Sequence, residues 1–437
     1  MHIIRSRWTL PALVTASLMG CGLPAEPTAL PPFEVAEPWQ PTAMQWKLTT
    51  EKTAARTGWM EWEQRTAQLA DVQVSSAAGQ PTDDGTPVQL HRRAYVNRHE
   101  TQGAVVVVPG FTEGLTLYQE VIHDLVANGY SVYVQDHRGQ GFSTRFLPGT
   151  LGHMDRFDRL VDDLAAYVDE VAAKGAHVPN EASKQASIET STGATTHPPT
   201  GTLPGKRPLF ALAHSMGGAV LAGVLERQGK ASSLTAVAMV TPMFEPATAA
   251  AGAQGWADQA LQGWCHNGAT SAHLPAWLGQ KQVAGKGFER DRDAFLQAVQ
   301  NQASPSDKAF ELSHSAGRLH QRWLAREARC EGAHCGHADA RVAGPTLHWV
   351  LQACHASAMY REAAAQVARP VLLLNGGQDT VVLTAAQQAF CAQVNVAHAG
   401  RCTGVTWPQA RHGLLVERDE WRNAAMVRML AFFESSK

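Results

Sequence analysis

Short apolar runs recur along this chain with helix-period stretches between them, and no other feature narrows its fold as far. The runs are residues 87–96 (PVQLHRRAYV), 103–109 (GAVVVVP), 130–135, 208–213, 234–240, 370–375 and 404–407. The run at 103–109 has no polar position, as suits a strand covered on both faces. Between the third and fourth runs, Leu160, Leu164, Tyr167, Val168 and Val171 fall at helical spacing, and Trp421, Ala425, Met429 and Phe432 repeat that spacing at the C-terminus. Alternating strands and helices predict an α/β fold, a mostly parallel sheet with helices on both faces. The length of 437 residues would suit two or three units at about 150 residues each, but an α/β core with insertions reaches it as one.

Two segments break the rhythm. Residues 174–207 are rich in Ser, Thr, Ala, Gly and Pro and hold almost no large apolar side chain. They cannot bury enough surface to offset the entropy of ordering, and they read as a flexible surface insertion. Residues 244–366 carry Trp256, Trp264, Trp277, Trp323 and Trp349, lack convincing strands and sit between two strand runs. They read as a helical lid that splits the core into a first part, 46–243, and a second part, 367–437.

The N-terminus reads as an address. Residues 1–20 hold His2, Arg5 and Arg7, then an apolar stretch from Trp8 to Leu18, with no acid before Cys21. That pattern is expected of a secretory signal peptide. Its end, Leu18-Met19-Gly20-Cys21, resembles a bacterial lipobox, which would make Cys21 the lipidated first mature residue. The Pro/Ala-rich stretch through 21–45 then reads as a tether, and the expected location is the cell envelope, anchored to the outer membrane or cell surface and facing an oxidising compartment. Seven cysteines minus the lipidated one leave six, an even number in a place where disulfides persist. Cys391 with Cys402 and Cys330 with Cys335 lie close in sequence, which leaves Cys265 for Cys354; this is one of fifteen connectivities. The run Cys330-Glu331-Gly332-Ala333-His334-Cys335-Gly336-His337 also has the residue types of a metal site, but its spacing matches no standard zinc motif, so the disulfide is preferred and no metal is expected.

Composition removes several classes of function. Hydrophobic residues at 44% and charged residues at 17% exclude global disorder, and no apolar stretch beyond the N-terminus reaches the roughly 18 residues of a membrane span. Lys+Arg 37 against Asp+Glu 39, a net charge of −2, with no long basic run, argues against a nucleic-acid partner.

The sharpest local signal is Leu212-Ala213-His214-Ser215-Met216-Gly217-Gly218, directly after one strand run and before a helical stretch. It is a G-x-S-x-G nucleophile elbow with Ala213 in place of the first glycine. Such a turn needs small neighbours because the backbone reverses sharply, and it sets Ser215 at a helix N-terminus where N–H groups meet developing negative charge. An acid and a histidine follow in the expected order: Asp379 after the run 370–375, and His412 after 404–407. His412 would take the Ser215 proton while Asp379 fixes its tautomer. With 19 histidines in the chain, position after the last strand is what singles out His412. The oxyanion would take the backbone N–H of Met216 and, from the loop Pro109-Gly110-Phe111-Thr112-Glu113, that of Phe111. These parts need no cofactor.

The elbow, the stretch Asp136-His137-Arg138-Gly139-Gln140-Gly141-Phe142-Ser143 and the stretch Gly152-His153-Met154-Asp155-Arg156-Phe157 resemble the α/β-hydrolase branch of lysophospholipase L2 and monoacylglycerol lipases. Ser306-Asp307 and Gly344-Pro345-Thr346-Leu347-His348-Trp349 are similar to the lysophospholipase L2 side. The likeness spans roughly residues 85–435 and implies an α/β-hydrolase fold and a serine hydrolase acting on a lipid ester, a lysophospholipid or monoacylglycerol, through an acyl-enzyme. It departs in the 174–207 insertion, the extra lid cysteines and the lipoprotein start. The stretch Asp136–Ser143 is expected to be a structural turn that braces the site. An esterase or peptidase of the same fold, or a non-enzymatic envelope lipoprotein, stands as the alternative. Oligomeric state is not legible.

Overall fold

The apolar runs become a nine-stranded sheet: β1 (Glu34–Val35), β2 (Ala70–Gly79), β3 (Val88–Asn97), β4 (Gly103–Val108), β5 (Tyr130–Gln135), β6 (Leu209–His214), β7 (Ala236–Val240), β8 (Val371–Gly376) and β9 (Cys402–Trp407). Their order is β1-β9-β8-β7-β6-β4-β5-β3-β2. The β2–β3 and β3–β5 pairings are antiparallel and all others parallel. This is the α/β-hydrolase fold. The computed structural model describes residues 30–38, 46–175, 207–247, 263, 265, 275–303 and 307–437. The expected signal peptide, Cys21, the interior of the 174–207 insertion, Trp256, Trp264 and Ser306 lie outside the described residues.

Alternation of side chains along the buried strands builds two cores. Ala104, Val106 and Val108 of β4 face one side with the helices Phe157–Gly175, Met216–Gln228, Leu347–Ala363 and Thr384–Ala397. Val105 and Val107 face the other, with the helices Gln119–Ala127 and Asp419–Ser435. This is the period-2 geometry of a sheet covered on both faces. The helix-spaced Leu160, Leu164, Tyr167, Val168 and Val171 are all buried, as are Trp421, Ala425 and Met429, whereas Phe433 is buried and Phe432 lies half-exposed beside it. Among the described residues, 244–366 contribute helices and no sheet strand.

The segment expected as a tether is partly sheet. Glu34–Val35 pair in parallel with Val405–Thr406, Phe33 lies over Gly404, where no side chain could fit, and Arg428 binds Glu34. Three disulfides join Cys265 to Cys354, Cys330 to Cys335 and Cys391 to Cys402. No helix among the described residues is long and apolar enough to cross a membrane.

Candidate active site

Parallel strands all deliver their following loops to one edge, and an open α/β sheet binds its ligands there. β4, β6, β8 and β9 lead at that edge into the 109–114 loop, Ser215, Asp379 and His412 respectively. Ser215 has φ +51° and ψ −120° and precedes the helix Met216–Gln228. A non-glycine residue in that backbone region is strained and must be held by its surroundings. The restraint is visible: Ser215 donates its N–H to the Val240 carbonyl at 3.0 Å, and its own carbonyl accepts from Gly218 and Met243, each at 2.9 Å. A Cβ on Gly217 would strike the Val108 and Pro109 carbonyls, and one on Gly218 would strike Pro242. Both glycines are thus fixed by close approach, Gly217 to the backbone at the end of β4 and Gly218 to Pro242.

Ser215, His412 and Asp379 form one hydrogen-bonded chain. His412 Nε2 lies 3.0 Å from Ser215 Oγ, and His412 Nδ1 lies 2.8 Å from Asp379 Oδ2. A carboxylate only accepts, so Nδ1 carries the hydrogen and Nε2 presents its lone pair to the hydroxyl. Asp379 Oδ1 accepts the N–H groups of Val381 at 2.8 Å and Val382 at 3.1 Å. Burial works to raise the Asp379 carboxyl, but His412 and those two amides outweigh it and hold the group below its ordinary range. The two loops are also tied to each other: Gly377 and Gln378 donate to the Trp407 and Ala410 carbonyls at 2.8 and 2.9 Å. Ser215 is 7% exposed and His412 3%.

The 109–114 loop is held by a network centred on Glu113, a residue that no sequence motif singles out. Glu113 Oε2 accepts Gly110 N–H at 2.7 Å, the Tyr118 hydroxyl and His214 Nδ1 at 3.1 Å, while Oε1 accepts Arg322 Nη1 at 2.6 Å. Burial opposes the charge on Glu113, but His214 and Arg322 prevail and hold its carboxyl well below the usual range. His214 Nε2 in turn donates to the His412 carbonyl at 3.2 Å, which also accepts the Thr241 hydroxyl at 2.9 Å. Gly110 N–H is consumed in this network, and Thr112 takes a positive φ of 61°. Phe111, between them, packs its ring on Trp349 with centroids 4.0 Å apart. Met216 is the first residue of the helix after Ser215. The signal for Glu113 was a lone acid in the loop after an apolar strand; its partners are 101 and 209 residues away and no local pattern joins them.

The Asp136–Ser143 turn supports the same loop from behind. Asp136 accepts the Leu115 and Phe142 N–H groups at 2.7 and 2.8 Å, and Gly141, with φ +56°, leaves the space Asp136 fills. Gln140 donates to the Gly110 and Glu113 carbonyls at 2.6 and 2.9 Å, and His137 to the Pro109 carbonyl at 3.1 Å. Burial raises the Asp136 carboxyl and pushes His137 down to about 4. The two other motif stretches interlock: His153 meets the Thr346 hydroxyl at 2.9 Å, and His348 donates to the Asp155 carbonyl at 2.8 Å.

The inserted segment touches the loops of the triad. Gly413 N–H donates to the Leu312 carbonyl at 2.7 Å, the Thr380 hydroxyl to Glu311 at 2.9 Å, and the His314 N–H to Glu417 at 3.0 Å. A separate groove of about 980 Å³ is walled by Arg145, His153, His348 and Tyr360 among others. None of the triad residues lines it, so size alone does not make it the reaction site.

The chain is similar to known proteins along most of its length. Lysophospholipase L2 of Escherichia coli (strain K12) is 28% identical over 358 residues, covering 80% of this chain and 85% of that protein. A soluble variant of monoglyceride lipase from Saccharomyces cerevisiae, solved with a substrate analog, superposes with a TM-score of 0.54 at 13% identity, covering 84% of this chain and 95% of that one. A lipase solved in its open form gives 0.51, again at 13% identity, over 84% and 99%. The Hydrolase_4 family (serine aminopeptidase, S33) matches residues 99–196 and 200–419. The chain is a member of that family of α/β-hydrolases.

Proposed function

We propose that this protein is a serine carboxylic ester hydrolase that cleaves single-chain lipids, a lysophospholipid or a monoacylglycerol, through an acyl-enzyme on Ser215. The observation that carries the reading is the unbroken chain Ser215 Oγ, His412, Asp379 at 3.0 and 2.8 Å. His412 Nε2 takes the hydroxyl proton as Oγ attacks the ester carbonyl, and the imidazolium that results is stabilised by Asp379. The N–H groups of Met216 and Phe111 are assigned to the oxyanion, preorganised by the elbow and by the Glu113 network. His412 then gives its proton to the leaving alcohol, and water, activated in the same way, releases the fatty acid. The packed Phe111–Trp349 pair gives the loop of the second oxyanion donor apolar surroundings, and the lysophospholipase L2 relative is named for a lipid substrate.

The family's own description supplies a second reading, an aminopeptidase. On the N-terminal sequence we also propose lipidation at Cys21, with attachment to a membrane of the cell envelope facing an oxidising space. That places the enzyme where single-chain lipids reside.

A fluorophosphonate probe should label the wild type and leave Ser215→Ala unlabelled; equal labelling would remove Ser215 from the mechanism. A hydrolysis panel then decides the substrate. Release of fatty acid from lysophospholipid or monoacylglycerol at rates well above those on short nitrophenyl esters and aminoacyl arylamides supports the lipid reading. The reverse order supports the peptidase or small-ester reading.

A further inference from the structure

On β3 and the inserted segment, sharing no residue with the triad, lies a second constellation of nucleophilic and ligating groups. One nitrogen of His91 and the sulfurs of Cys330 and Cys335 lie within 4.8 Å of one another. His91 is fully buried. Its Nδ1 lies 2.9 Å from the His334 carbonyl oxygen; a carbonyl only accepts, so Nδ1 carries the hydrogen and Nε2 holds the lone pair. Nε2 is buried and has no hydrogen-bond partner. With Cys330 and Cys335 joined, neither sulfur has a proton to donate to it. An imidazole anchored through one nitrogen on a backbone carbonyl, with its other nitrogen bare and two sulfurs within 4.8 Å of a ring nitrogen, has the donor set of a metal-binding histidine.

We propose that opening the Cys330–Cys335 disulfide turns this loop into a binding site for Zn²⁺ or a cation of similar softness, with His91 Nε2 and the two thiolates as ligands. In the first step two molecules of a thiol reductant give up two electrons and two protons. The S–S bond breaks, Cys330 and Cys335 become thiols, and the reductant leaves as its own disulfide. In the second step the cation displaces both thiol protons to water. Three protein ligands leave a fourth position for water or an external donor.

The site is built independently of the bond it would replace. Cys330 N–H donates to the Ala338 carbonyl at 3.0 Å, and Arg329 and Asp339 form a bridge across the base of the loop. Gln89 donates to the Ala333 carbonyl at 2.7 Å, and His337 N–H to Phe142 at 2.9 Å. These bonds keep both sulfurs facing His91 after reduction. Cys330 and Cys335 are half-exposed, whereas Cys265, Cys354, Cys391 and Cys402 are buried. Mild reductant therefore reaches this pair first, and the ion enters from the sulfur side. Soft sulfur donors with one imidazole select zinc-like ions over magnesium or calcium. The covalent closure joins only the two ends of the 330–335 strap, whereas the metallic one would also tie that strap to β3 through His91.

The test uses Co²⁺ as the probe on the full chain after mild phosphine reduction, with two thiols per chain verified by titration and the phosphine removed. Reduced wild type should take up one Co²⁺ per chain with a thiolate-to-cobalt charge-transfer band, displaced by Zn²⁺, while the oxidised chain takes up none. His91→Ala should weaken uptake by at least the roughly 10- to 100-fold that loss of even a ligand's hydrogen-bond partner costs. Cys335→Ser, a change at the surface of the strap, should do the same and guards against a His91 variant that fails to fold. No uptake by the reduced wild type, or undiminished uptake by Cys335→Ser, overturns the proposal and leaves His91 as a partner for the thiols alone.

Discussion

Two buried histidines lie side by side, His412 and His214, with ring centroids 5.0 Å apart, and each has a buried carboxylate on Nδ1. Only one of them is free to act as a base. His412 has Asp379 on Nδ1 and the Ser215 hydroxyl on Nε2, so its second nitrogen meets a group with a proton to give. His214 has Glu113 on Nδ1 and the His412 carbonyl on Nε2, so both nitrogens face acceptors and no lone pair remains. The carboxylates differ in the same sense. Asp379 spends its second oxygen on two amides of its own turn, whereas Glu113 gathers a loop amide, a tyrosine and an arginine of the inserted segment. A histidine–carboxylate pair is therefore chemistry or scaffolding according to what the outer nitrogen faces.

Replacement of the two histidines should separate these roles most widely. His412→Ala should lower kcat/KM by about 10⁴- to 10⁶-fold with the fold intact, the scale of triad knockouts. His214→Gln should cost only about 10²-fold, the penalty of a slightly misplaced catalytic group, and the loss should lie in kcat. Steady-state kinetics on one lipid ester distinguish the two; equal losses would mean that His214 belongs to the chemistry.

This contrast marks where sequence reading succeeds. Ser215, Asp379 and His412 were legible because each sits in the loop or turn that follows a strand run, and the order of the three is tied to the fold. The runs behind β4, β6, β7 and β8 were legible because strands covered on both faces have almost no polar position. β2 was not: its sequence, ADVQVSSAAG, is small and polar because this edge strand leaves much of its surface exposed. Glu113, His214, Arg322 and Thr241 sit in plain view in the sequence, but their roles arise only when three loops and the inserted segment meet. His214, the last residue of β6, occupies a position of the elbow pattern that any residue type can fill.

The acids give the next largest contrast, in kcat. Asp379→Asn should cost about 10⁴-fold by setting the wrong tautomer of His412. Glu113→Gln, which keeps size and loses charge, should cost about 10²- to 10³-fold, the scale of an impaired oxyanion donor. Their acid stability should nevertheless behave alike. Both carboxyls ionise below their ordinary values of 3.8 and 4.5 when folded. The unfolded chain then binds more protons in the acid window, so the stabilisation stands in full above those values and is lost as the pH falls through the depressed folded ones. Each variant should show a flatter fall in unfolding free energy on the acid limb than wild type, measured by denaturant titration. A parallel limb for Glu113→Gln would mean that its ion pairs with His214 and Arg322 contribute nothing net.

The smallest effect sharpens the comparison furthest. The His412 carbonyl accepts two hydrogen bonds, from Thr241 Oγ1 and from His214 Nε2, so either donor alone can keep that oxygen satisfied. Thr241→Val removes one of them at nearly constant volume, in a fully buried position. It should lower stability by about 1 kcal/mol, the net value of one hydrogen bond, and change turnover less than His214→Gln does. The double variant leaves the buried carbonyl without either native donor. Its loss should therefore exceed the sum of the single losses, by an interaction energy of about 0.5–3 kcal/mol. Simple additivity in a double-mutant cycle would show that His214 holds the 109–114 loop through Glu113 alone and does not reach the catalytic histidine through its backbone.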